Sequence, residues 1–221
     1  GVVKTVQVPA GGVNKGDEFQ AIVVSSGGGG VFSLSDNAPN GRWRDGLCSC
    51  CKYGPCHPMF MLALCLPQVL MAQVMTRMKL SWLGNPADLD EWKKTYRNVW
   101  LVIVSYFVLK MIFAVPVEVD EDGMVVPKDD EDPRIIVGYV INISYFLYTL
   151  YAMAQARKYI RDRYNIPEQR CYGCEDYVCS FCCGCCTIAQ MANHTADYDI
   201  IRATCCTATG LPDSIDVESY A

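Results

Sequence analysis

Fourteen of the 221 residues are cysteine, and twelve of these fall in two blocks. The first block, WRDGLCSCCKYGPCHPMFMLALCLP from Trp43 to Pro67, holds Cys48, Cys50, Cys51, Cys56 and Cys65. The second, CYGCEDYVCSFCCGCC, holds Cys171, Cys174, Cys179, Cys182, Cys183, Cys185 and Cys186. Thiols this dense hold a metal, pair as disulfides or carry lipid. A C-x2-C unit lets two thiolates of one turn reach one ion, and a second unit completes a tetrahedron. Block two offers Cys171-x2-Cys174 and Cys179-x2-Cys182 as such a set, with Cys182-x2-Cys185 and Cys183-x2-Cys186 overlapping it. Alternatively, block one supplies the second pair through Cys48, Cys50, Cys51 and Cys56. His57 directly follows Cys56 and joins the candidate ligands. His194 has no cysteine neighbour and reads as a polar helix residue. Zinc is the cofactor this donor set suits, since thiolates favour zinc, cadmium or copper(I) over calcium or magnesium. Cys174-x4-Cys179-x2-Cys182 also has an iron–sulfur spacing, but seven cysteines in sixteen residues make some such match nearly inevitable. Cys65, inside an apolar run, reads as packing. A Cys–His nucleophile would need an orienting Asn or Asp, and nothing local suggests one, so no enzyme is expected.

The compartment decides between metal and disulfide, and the elements that carry the cysteines give a handle on it. Net charge is −5, which leaves no basic footprint for nucleic acid. Half of the residues, 51%, are hydrophobic, and they are concentrated. Val99–Val117 carries a single charge, Lys110, and Ile135–Ala156 carries none. Each approaches the roughly 20 apolar residues that a membrane-spanning helix needs. Two buried core helices would give the same pattern, but the flanking sequence offers no domain large enough to bury both. Lys110 reads as snorkelling toward the nearer end of its helix. Asn142, Ser144 and Ser105 can hydrogen-bond across the helix pair. The connector 118–134 holds eight acids, without the spacing or central Gly of a calcium loop. The outer flanks are basic, with Arg77, Lys79, Lys93, Lys94 and Arg97 before the pair and Arg157, Lys158, Arg161, Arg163 and Arg170 after it. That asymmetry predicts a multi-pass membrane protein with both termini and both cysteine blocks on the cytoplasmic, reducing side. Disulfides are then disfavoured and metal ligation, lipidation or free thiols favoured.

The expected fold class is mainly α: a membrane helical hairpin with a cysteine-rich cytoplasmic domain assembled from two distant segments, plus a small N-terminal β-module. Residues 1–25 carry strand-like runs around a Pro-Gly-Asn turn and form that module. Residues 26–42, opening on SSGGGG, read as a flexible linker. Residues 43–80 form the first half of the cysteine-rich domain, with an apolar helix over 59–75 that Pro67 interrupts. That helix is re-entrant, interfacial or buried among others rather than a clean crossing. Residues 81–98 read as an amphipathic linker helix beginning near Asn85-Pro86, and 99–156 as the hairpin. Residues 157–206 form the second half, opening with a basic amphipathic extension to Asn165-Ile166-Pro167, and 207–221 a mobile acidic tail. No signal peptide is read at the N-terminus.

The stretch WRDGLCSCC…CLPQVLMAQV, with Trp43, Gly46, Leu47, Cys48, Cys50, Cys65 and Pro67, resembles the opening half of the cysteine-rich family of cornifelin, the placenta-specific protein eight and the plant cadmium-resistance and fruit-weight proteins. RDRYNI…CCGCCTIAQ, with Arg161, Tyr164, Ile166, Cys182, Cys183, Cys186 and Gln190, is similar to its closing half. VPAGGVNKGDEF resembles a short β-module that precedes the domain in some members. The spacer is longer here than in the compact members. The resemblance implies a part in heavy-metal resistance or in transport of zinc, cadmium or calcium ions, or in cell-number control. The expected function is divalent metal-ion transport or homeostasis by a membrane-embedded oligomer. The alternative is a non-catalytic structural or accessory subunit of a larger membrane complex. The partners expected are the lipid bilayer and further copies or a larger complex, with no nucleic acid and no small-molecule substrate.

Overall fold

The structure, a computed structural model, describes residues 5–6, 23–24, 38–88, 90–119, 125–127, 132–169 and 171–212. These are mainly helical: α1 Pro58–Cys65, α2 Pro67–Arg77, α3 Thr95–Ile112, α4 Pro133–Arg163, α5 Glu175–Cys182 and α6 Gly184–Thr195. Two short antiparallel pairs accompany them. β1 (Thr5–Val6) pairs with β2 (Val23–Val24), and β3 (Val117–Val119) with β4 (Val125–Pro127). The expected β-module is not seen as a unit: beyond β1 and β2, residues 1–25 lie outside the described residues, as does most of the 26–42 linker. The acidic connector is a β-hairpin where it is described, Val117 opposing Pro127.

The centre of the fold is built twice. The apolar run 59–75 is two helices, because the residue before Pro67 is sterically pushed out of the helical region. Leu66 accordingly sits at φ −141°, ψ 59° and ends α1, and Pro67 takes the first position of α2. The second half repeats this arrangement. α5 is 8 residues long, as α1 is, and Cys183 breaks the helix at φ −147°, ψ 62° before the 12 residues of α6. The correspondence extends to sequence: Cys65 and Cys182 end the first helices, and seven residues later each second helix carries Ala-Gln, Ala72-Gln73 and Ala189-Gln190. In both second helices the last nine residues, Val69–Arg77 and Thr187–Thr195, are buried on every side. α2 and α6 pack on one another as the core, sheathed by α1, α5 and parts of α3 and α4. The two glutamines reach out of this core to main-chain carbonyls. Gln73 Nε2 donates to Cys205 O at 2.9 Å and Thr207 O at 3.0 Å, and Gln190 Nε2 to Asp45 O at 3.0 Å. Gln73 thereby holds the 204–211 loop, and Leu211 is buried against the core. The expected mobile tail is therefore anchored at its start; 213–221 lies outside the described residues.

α4 changes character along its length. Its 31 residues reach about 46 Å at 1.5 Å per residue. Nothing between Pro133 and Tyr151 is buried, and Ile136, Tyr139, Val140, Ile143 and Leu147 are all more than half exposed. That stretch spans about 29 Å, close to the roughly 30 Å of a bilayer's hydrocarbon core. From Ala152 onward α4 enters the domain, burying Ala152, Met153, Ala154, Ala156, Arg157, Ile160 and Arg161. By length and composition it is the one helix among the described residues able to cross a membrane. α3 lies along its bare part: Tyr106 stacks on Tyr145 at 4.1 Å and donates through its hydroxyl to Asn142 Oδ1 at 3.1 Å. α3 ends at Ile112, short of the expected Val117. Beyond its last buried residue, Ile103, it runs only about 14 Å to Ile112, too little for a full crossing.

Two further expectations are corrected. The 81–98 linker is not a helix from Pro86. Leu80 and Pro86 form a bridge around a tight turn, and only one 3₁₀ turn, Glu91–Lys94, precedes α3. Gly84 stands in that turn at φ +83°, where a Cβ would run into the Ala152 carbonyl of α4. Nor is the end of α4 a solvated basic flank. Arg157 and Arg161, like Arg77, are buried, because carboxylates and aromatic rings meet them inside the domain. The flanking arginines that suggested a cytoplasmic orientation are thus partly core residues.

Candidate functional site

Among the described residues the only group of three candidate metal donors close together is Cys183, Cys185 and Cys186, whose sulfurs all lie within 4.8 Å of one another. The helix break brings them together. Cys183 is the N-cap of α6, and Cys185 and Cys186 are its second and third residues. They therefore stand at the N-terminus of α6, where negative charge is favoured. Cys185 and Cys186 Sγ are 3.9 Å apart. The sulfurs of a tetrahedral zinc–thiolate site stand roughly 3.8 Å apart, given a Zn–S bond of ~2.3 Å. Cys186 donates its S–H to Cys183 and holds that thiol below its ordinary value, while burial and that same bond push Cys186 up. A metal bound by the three sulfurs would displace their protons. The three residues fit a thiophilic ion as a three-sulfur donor set.

The other expected ligands do not join this group. Cys171 and Cys174 form a disulfide with Cα atoms 5.4 Å apart, so in this form neither offers a thiolate. This pair departs from the expected free or metal-bound thiols, while the other twelve cysteines are free. Cys179 is partly buried, and burial pushes its thiol up. Cys182 is exposed at the end of α5. In block one, Cys50 and Cys51 approach to 3.8 Å, and their contact raises the Cys51 thiol. Cys48 and Cys56 are exposed and stand outside any three-donor group. His57 is committed elsewhere. Its Nδ1 accepts the Met59 N–H at 3.3 Å as the N-cap of α1, and its ring lies between Tyr53 and Tyr198. Burial lowers its basicity. Cys65, expected to be packed, is exposed, because the Leu66 break turns the end of α1 outward.

Block one is nonetheless joined to block two, through its non-cysteine residues. Trp43 stands edge-on to His194 with ring centroids 5.1 Å apart, and the Arg157 guanidinium lies 4.5 Å over the Trp43 ring. Arg44 N donates to His194 Nδ1 at 3.2 Å and Arg44 Nη1 to Asp197 at 2.7 Å. His194 is fully buried rather than a surface helix residue, and burial together with Arg44 lowers its pKa to about 4. Beneath it lies an ion-pair network. Asp176 accepts from Arg161 Nε at 2.8 Å and Nη2 at 2.6 Å, and stands 3.2 Å from Arg157 Nε. Arg157 Nη1 also donates to Gln190 Oε1 at 2.6 Å. Pattern reading found the cysteines but not this network, because alternating Arg and acid in helical sequence reads as solvated charge.

A small apolar pocket of about 120 Å³ adjoins the cysteines, with Pro67, Phe146, Leu150, Met153, Gly184 and Cys185 in its wall. Ser180 also lines it, buried, with no partner for its Oγ. Beyond it, between α3 and α4, runs an open groove of about 780 Å³, where Ser105 and Ser144 stand among Tyr106, Tyr145, Tyr148 and apolar side chains.

Fold and site together define a mainly helical, cysteine-rich protein with, among the described residues, one helix long and apolar enough to cross a membrane. The chain matches the model of the PLAC8 family over residues 43–194 and belongs to that family, the one of cornifelin and the plant cadmium-resistance and fruit-weight proteins. No curated protein and no solved structure matches it.

Proposed function

We propose that the chain is a membrane-embedded protein that binds thiophilic divalent metal ions, zinc or cadmium, and takes part in their transport or homeostasis as an oligomer. The observation that carries this reading is the Cys183–Cys185–Cys186 cluster, set where α4 passes from bare apolar helix into the packed domain. A site so placed lies at the level where a membrane would end, within reach of ions arriving along its surface. Thiolates select zinc, cadmium or copper(I) and discriminate against calcium, so the calcium part of the family expectation is set aside. A single α3–α4 pair offers few polar groups for an ion path, and an oligomer supplies the rest of the wall. The cysteine blocks are read as facing the cytosol and the chain as non-enzymatic.

The α3–α4 groove favours a second reading, a structural subunit on a larger membrane complex. Its apolar walls and two serines suit a neighbouring helix. One preparation separates the two. The protein is purified in detergent and reducing buffer, and its bound metal and native mass are measured. Stoichiometric metal in a homo-oligomer supports metal handling. Metal-free protein with stoichiometric foreign partners overturns it.

A further inference from the structure

We propose that Cys185 is an S-acylation site, taking a long-chain fatty acyl group from its coenzyme A thioester. The proposal rests on the reading that the bare half of α4 lies in lipid, and goes beyond the metal assignment. The 120 Å³ pocket supports it. Cys185 is in its wall, its lining is mostly apolar, and it is too small for a whole fatty chain but suits its first carbons. Phe146 and Leu150 in its wall belong to the bare part of α4, and Met153 to the stretch where that helix enters the domain. A chain starting at Cys185 therefore leaves the pocket along the lipid-facing side of α4. α5 borders the same level: Phe181 touches Phe146 with ring centroids 6.0 Å apart, and Val178 and Phe181 are exposed.

The second, independent observation is Ser180. It is only 8% exposed, and its hydroxyl lines the pocket without a hydrogen-bond partner. A buried hydroxyl left unsatisfied is destabilising. A thioester carbonyl at the mouth of the pocket gives it an acceptor. In the step, Cys185 Sγ adds as thiolate to the acyl carbonyl carbon. The new C–S bond forms, the C–S bond to coenzyme A breaks, and the departing coenzyme A thiolate takes up a proton, with no change of oxidation state. Negative charge building on the carbonyl oxygen faces the N-terminus of α6. Acylation takes one of the three sulfurs out of the metal donor set, so a Cys185 thioester and a three-thiolate metal site are mutually exclusive.

The test expresses the full chain in eukaryotic cells fed an alkynyl hexadecanoic acid, and reads hydroxylamine-sensitive label per protein. Cys185→Ser is expected to lose most of the label, whereas Cys205→Ser, remote from the pocket, keeps it. Leu150→Trp fills the pocket while leaving the thiol, and is expected to lower the label several-fold. Label on Cys185→Ser equal to wild type, or no thioester label on the wild type, overturns the proposal, and wild-type label on Leu150→Trp overturns the role of the pocket. Alkaline carbonate washing of the same membranes keeps the underlying reading separate. Protein that stays in the pellet without label sinks acylation alone, and protein that washes off sinks the membrane reading too.

Discussion

Replacing Asp176 with Asn tests whether α5 is held to α4 by buried charge. Asp176 is 6% exposed, accepts two hydrogen bonds from Arg161 and forms an ion pair with Arg157, the two arginines being 4% and 2% exposed. Asn keeps the shape and removes the charge. Glu168 at 2.8 Å from Arg161, and Glu175 at 3.8 Å from Arg157, remain as partial compensation. Removing one partner of a buried pair costs about 3–5 kcal/mol, and the remaining acids place the expected loss near the low end. At about 3 kcal/mol the unfolding equilibrium shifts by roughly a hundredfold. Asp90→Asn, which cuts the exposed Lys93–Asp90 contact at 3.0 Å, serves as control and is expected to change nothing measurable. The assay is denaturant unfolding of the detergent-solubilised chain at low and high salt. A buried network is screened little, so the loss is expected to persist in high salt. A loss below about 0.5 kcal/mol, or one that salt abolishes, would place these arginines in solvent and refute the reasoning.

Other consequences follow from single residues. Gly84→Ala demands a side chain at φ +83° and against the α4 backbone, and is expected to cost about 2–4 kcal/mol, read as a lowered midpoint of thermal unfolding. His194 is a base whose pKa is held at about 4 in the fold against an ordinary 6.5. Its contribution to stability is whole above pH 6.5 and is lost as pH falls from there toward 4, at a limiting slope of about 1.4 kcal/mol per pH unit. His194→Gln, with unfolding measured across that window, is expected to flatten the slope; an unchanged slope assigns the dependence to another group.

How much of this was legible in the sequence varies with the signal. The long apolar stretch 135–156 named α4 and nearly its C-terminal end, since Pro133 and Asp132 start it and Asn165 at φ +52° follows it. Cysteine spacing named Cys183, Cys185 and Cys186 among twelve candidate ligands, but spacing alone could not choose them. The choice depends on one backbone break at Cys183, which aims three sulfurs at one point. That break could have been read by analogy with Leu66 before Pro67, because the Ala-Gln pair recurs seven residues after each first helix. The buried arginines were beyond reach. Their partners lie on other helices, and a run such as RKYIRDRY has the same composition on a surface as in a core. The β-hairpin at 117–127 was hidden by its charge, which masks the Val-rich alternation on either side.

The most direct measurement of the central claim is the metal content per chain of wild type and of the Cys183→Ser, Cys185→Ser, Cys186→Ser triple variant, each purified under reducing conditions and equilibrated with zinc. One zinc per wild-type chain is expected to withstand washing and to be lost in the triple variant, with the same helical content in both. Zinc retained by the triple variant, or absent from reduced, unacylated wild type, would contradict the claim.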